Sequence, residues 1–88
     1  MSSETILQEI SDERVKQDVK WGEQNHDPFL YLTVLGEEYG EACQAALHSR
    51  FGGRAANDLR EELIQCAAVA VAMIECLDRK KWNWGDHK

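Results

Sequence analysis

The sequence predicts an all-α protein, a single domain of three main helices whose bundle is completed by homo-oligomerisation. Three observations carry that expectation. Apolar residues recur at helical spacing in three stretches, no stretch alternates apolar and polar residues as a half-buried strand would, and glycine, proline and polar residues gather between the stretches. At 88 residues the chain has room for one domain, 1–88, and a core that small is commonly completed by a second copy.

The first helix is expected from about Ser3 to Lys20, with Ile6, Ile10 and Val19 set among charged residues and a polar outer face. The segment WGEQNHD, Trp21 to Asp27, interrupts it at Gly22. Asp27 followed by Pro28 reads as an N-cap and a first helical residue, so the second helix opens at Pro28. Its Leu32, Leu35, Tyr39, Ala42 and Ala46 are spaced 3, 4, 3, 4, the seam pattern of a bundle. Gly36 and Gly40, one turn apart, suggest close approach of another helix. Gly52 and Gly53 end this helix or the turn beyond it, because glycine enters left-handed conformations without a Cβ penalty.

Asn57 or Asp58 is expected to cap the third helix, which runs from Leu59 to Leu77. Leu63, Cys66, Ala70, Met73 and Leu77 repeat the seam, while Ala67, Val69, Val71 and Ile74 make its other side apolar too. Three helices cannot cover such a helix all round, so the stretch Cys66 to Ile74 is expected to meet another subunit. Arg79, Lys80 and Lys81 suit the negative end of the helix dipole, and Trp82 and Trp84 are expected to cover the open end of the bundle.

Ten basic residues against 16 acidic ones give a net charge of −6, which argues against a nucleic-acid polymer or an anionic membrane as partner. The longest apolar run, Cys66 to Ile74, is too short to span a bilayer, and MSSETILQEI has neither the basic nor the apolar region of a signal peptide. Cys43, Cys66 and Cys76 are odd in number, lack CxxC spacing and sit in apolar contexts, as reduced, buried thiols do; a cytoplasmic setting is expected.

Chemistry enters with two acidic clusters, Glu37, Glu38 and Glu41 in GEEYGE and Glu61 and Glu62 in REELIQ. At about 100° of turn per residue, Glu38 and Glu41 share one helix face, and Glu62 and Gln65 repeat that geometry on the next helix. Carboxylates placed side by side repel one another and call for a cation, a basic partner or open solvent. Oxygen-only ligands favour magnesium, manganese or calcium over zinc.

In order and spacing, GEEYGE and REELIQ resemble the EExxE and ExxD motifs of the MazG-like, all-α nucleotide pyrophosphohydrolases, and KWGEQNHDPFL, Lys20 to Leu30, resembles the lead-in to helix two of small phage and bacterial MazG-like proteins. The resemblance covers about Glu13 to Asp78. It implies a bundle completed as a dimer or tetramer that hydrolyses a nucleoside triphosphate to the monophosphate and pyrophosphate with Mg2+, or Mn2+ in its place. Carried over by position, Glu38, Glu41 and Glu62 are the metal ligands, and Gln65 stands where the family motif has Asp. Glu37 and Glu61, each beside a proposed ligand, are candidates for a catalytic base or for the missing carboxylate. Lys20, Asn25, Arg54 and Arg60 are candidate substrate contacts, as is Arg50 for phosphate oxygens.

Each of these readings has a plainer rival. Acidic clusters are most often solvated faces paired with arginine. His26 and His48 read as capping or surface residues rather than ligands. Trp21, Trp82 and Trp84 read as cover for a small bundle rather than as base-stacking platforms. A polar interhelical loop accounts for Lys20 and Asn25 without a nucleotide. The departure at Gln65 sustains a second function class, a non-catalytic or degenerate helical oligomer with a regulatory or nucleotide-binding role.

Overall fold

A computed structural model describes residues 2–51 and 56–80, which form three helices: α1 (Ser3–Trp21), α2 (Pro28–Arg50) and α3 (Ala56–Lys80). Trp82, Trp84, Gly52, Gly53 and Arg54 lie outside the described residues. The described residues contain no strand, and no helix among them is long and apolar enough to cross a membrane.

The helix boundaries follow local chemistry. Ser2 caps α1, its hydroxyl accepting from the Thr5 amide at 3.3 Å. The helix stops at Gly22, whose φ of 74° lies in the left-handed region and whose amide donates to the Asp18 carbonyl at 2.8 Å. Asp27 caps α2 as expected, its carboxylate accepting from the Leu30 amide at 2.9 Å, with Pro28 as the first helical residue. The third helix begins at Ala56, earlier than expected, so positions 57 and 58 fall within its first turn rather than before it. There Asp58 favours the positive end of the helix dipole.

Helix α3 is the centre of the molecule. It packs against both α1 and α2, whereas no Cα of α1 comes within 8 Å of one of α2. The buried residues of the α2–α3 seam are small: Ala42 and Ala45 on one helix, Ala68, Val69 and Ala72 on the other, with Tyr31 and Cys76 closing the end near the α1–α2 connection. Small side chains let the two backbones approach, and that choice rotates both helices from the expected seam. The inward stripe of α2 is Tyr31, Leu35, Glu38, Ala42 and Ala45, while Leu32 and Tyr39 stand 52% and 66% exposed and Ala46 faces out. On α3 the seam runs through Gln65, Val69, Ala72 and Cys76; Leu63 is exposed, and Val71 and Ile74 remain on an open face. Gly36 and Gly40 lie on the side of α2 turned away from α3, and a Cβ built on either meets nothing within 4 Å, so they mark no close approach in this chain.

The first helix docks by charge rather than by an apolar stripe. None of its residues is buried, and Val19 is 82% exposed. Arg14 crosses to Glu75 of α3 at 2.7 Å while holding Gln17 and Asp18 at 3.0 Å, and Arg60 of α3 forks onto both carboxylate oxygens of Glu9. The α1–α2 connection is pinned to the far end of α3. Arg79 donates to the Gln24 carbonyl at 3.1 Å and to Asn25 Oδ1, the Tyr31 hydroxyl donates to the same carbonyl at 3.0 Å, and the Cys76 thiol points at the His26 carbonyl at 3.5 Å.

Candidate metal site and groove

The α2–α3 register brings three carboxylates together. Glu38 and Glu41 sit one turn apart on α2, Glu62 faces them from α3, and one oxygen of each lies within 4.8 Å of the others. Glu38 belongs to the inward stripe, a turn before Ala42, so it is half-buried whereas Glu41 is exposed. Burial pushes the Glu38 carboxyl above its usual range, and the charges of Glu41, Glu62, Glu37 and Glu13 push it further. The same burial and the same carboxylates raise the Cys66 thiol, which is half-buried on α3.

The donor set fits a hard divalent cation. Oxygens bound to one octahedral ion lie about 3–4 Å apart for magnesium and up to about 5 Å for calcium, so rotations about the glutamate side-chain bonds are enough to close this triad on an ion. A cation there would also relieve the repulsion that raises Glu38.

Of the triad, Glu38 lines a groove of about 540 Å³ between α1 and α2. Glu13, Lys16, Gln17 and Lys20 of α1 form one wall, Tyr31, Val34 and Glu38 of α2 the other, and Gln65, Val69 and Ala72 of α3 the floor; Trp21, Gly22 and Gln24 line it too. Gln65 lines this groove with Glu38.

The remaining candidates separate. Glu37 and Glu61 are exposed and stand about 100° around their helices from Glu38 and Glu62. Glu61 lines a second hollow on the other side of α1 with Glu9, Asp12, Glu13, Lys16 and Arg60. Lys20 lines the main groove, with its ammonium 4.7 Å from the centre of the Trp21 ring. The Asn25 amide is engaged within its own loop, donating to Glu23 at 3.1 Å and accepting from Arg79. Arg60 is committed to Glu9, whose carboxyl it holds below the usual range. Arg50 stands over the Phe51 ring at 5.8 Å.

His26 tilts against Tyr31, ring centres 5.2 Å apart, and His48 is exposed, as the plainer readings had them. The three cysteines are free thiols, but only Cys76 is buried; Cys43 is exposed, against expectation, because it follows Ala42 on the outer side of α2.

Sequence reasoning passed over Glu13, Arg14 and Lys16. The signal that could have found them is their place on α1, where Glu13, Lys16, Gln17 and Lys20 form one helical stripe at i, i+3, i+4 and i+7. Comparison of the chain with protein-family models, with curated proteins and with solved structures gives no match in any of the three.

Proposed function

We propose that the protein is a magnesium-dependent nucleoside triphosphate pyrophosphohydrolase of the MazG-like kind, with manganese able to serve, working as a dimer or tetramer. The observation that carries this reading is the convergence of Glu38, Glu41 and Glu62 from two helices, with Glu38 also lining a groove of about 540 Å³. A divalent ion held there would neutralise triphosphate charge, orient the attacking water and stabilise the leaving pyrophosphate. The chain's own part is to hold three carboxylates at one place, with Glu38 kept half out of water so that its charge is felt strongly, and to present Lys20 along the groove. Gln65 accepts through its amide carbonyl where a carboxylate would add a full charge, so metal binding is weaker than four acids would make it. Glu37 and Glu61 are the candidate bases from the motif, and both stand outside the convergent triad. A second copy is assigned to the apolar surface that one chain leaves open, including Leu32, Tyr39, Leu47 and Ile74.

The test is pyrophosphate release from a panel of nucleoside triphosphates with and without magnesium. Magnesium-dependent release from at least one of them is expected. Gln65 in the groove favours one other reading, a nucleotide-binding helical oligomer without turnover; nucleotide binding with no pyrophosphate release across the whole panel would establish it.

A further inference from the structure

We propose that Lys16 and Lys20 form an anion-binding wall that takes the phosphate chain of the substrate, an inference that rests on the pyrophosphohydrolase reading and names how its ligand is held. A chain of net charge −6 repels a polyphosphate at long range, so binding one requires a local concentration of uncommitted cations. Most arginines near the groove are already spent: Arg14 on Glu75 and Asp18, Arg60 on Glu9, Arg79 on Glu23 and Asn25. Lys16 and Lys20 line the groove, and neither has a carboxylate partner among the described residues, the Lys20 ammonium lying over the Trp21 ring that also lines the groove. They sit four residues apart, so their backbone positions share one face of α1, about 6 Å apart along its axis. Two adjacent like charges on a helix destabilise it slightly when nothing bridges them, and a polyphosphate, which carries negative charge on each of its phosphates, can bridge them. The opposite wall carries Glu38 of the acidic triad; on the lysine wall Asp18 is held by Arg14, and Glu13 lines the same wall. A metal ion on one wall and two ammonium groups on the other would grip a phosphate chain from both sides.

The experiment titrates inorganic tripolyphosphate and pyrophosphate into the full-length protein by calorimetry, in chelator at low ionic strength, where the metal plays no part. The wild type should bind. Lys16→Ala and Lys20→Ala should each weaken binding by about tenfold, in keeping with loss of a charge-assisted contact, and the double variant by more. Lys16→Arg should keep most of the affinity, and Lys80→Ala, at the exposed end of α3, should be unchanged. Undiminished binding in the double variant would overturn the proposal. The same variants assayed for magnesium-dependent turnover separate the two ideas. Turnover with lysine-independent tripolyphosphate binding defeats the anion wall alone, whereas lysine-dependent binding without turnover of any nucleotide sustains the wall and defeats the pyrophosphohydrolase reading.

Discussion

At the scale of single residues, the informative group is Glu38, the one carboxylate of the triad drawn into the helix seam. Replacing Glu38, Glu41 or Glu62 with Gln should abolish turnover and, without metal, leave thermal stability equal to or above wild type, because like-charge repulsion is relieved. Wild-type turnover in two of the three would make the ligand assignment wrong. The pH dependence of stability follows from the sign of the shift. Glu38 has a folded-state pKa raised above its ordinary value of 4.5, so it takes nothing from stability at acid pH. Its destabilisation sets in as pH rises through that value and is complete above the folded-state pKa. Glu9 runs the other way: Arg60 lowers its pKa, so its contribution is present above the ordinary value and is lost as pH falls through the folded one. Melting curves from pH 4 to 8 should therefore show magnesium stabilising the wild type at neutral pH, with the gain fading toward pH 4.5, and little gain at any pH in Glu38→Gln. An equal magnesium effect in that variant would place the ion elsewhere.

At the scale of helices, the sequence made element positions legible and helix rotation much less so. Asp27 with Pro28, and Gly22 before them, mark real boundaries because each acts through its own backbone. The seam of α2 was misassigned because Leu32 and Tyr39 are the larger apolar residues, and periodicity gives weight to size. The fold instead buries the small residues Ala42 and Ala45 of α2 and Ala68 and Ala72 of α3, where larger side chains would overpack. The docking of α1 was illegible for a different reason: its bonds join Arg14 to Glu75 and Glu9 to Arg60, pairs far apart in sequence with no periodic trace. Glu38 and Glu41 were legible as neighbours because i, i+3 spacing survives any rotation of the helix, whereas Glu62 was joined to them only through the family resemblance. Substitutions that change only helix packing separate the two sides of α2. Ala42→Leu should overpack the seam and cost about 1–3 kcal/mol. Gly36→Ala and Gly40→Ala should each add about 0.5–1 kcal/mol, a few degrees in Tm, since an added methyl group meets open space in one chain. A fall in Tm with either glycine variant would mean that another molecule's side chains occupy that side of α2.

At the scale of the whole molecule, three helices in a body 48 × 28 × 23 Å leave Leu32, Tyr39, Leu47, Leu63 and Ile74 more than half exposed. A second copy covering these side chains is the expected outcome. Light scattering coupled to size exclusion at micromolar concentration should report a multiple of 10.1 kDa, and a stable monomer would refute the oligomer. The central position of α3 has another consequence. Because no Cα of α1 lies within 8 Å of one of α2, and α1 meets α3 in part through ion pairs such as Arg14 with Glu75 and Arg60 with Glu9, it is the leaf most easily lifted from the other two. The triad belongs wholly to the α2–α3 hairpin, and the lysine wall wholly to that leaf. Salt and temperature thus act on the two halves of the groove unequally, so an ion bound at the triad would outlast a phosphate chain bound at the lysines as salt is raised.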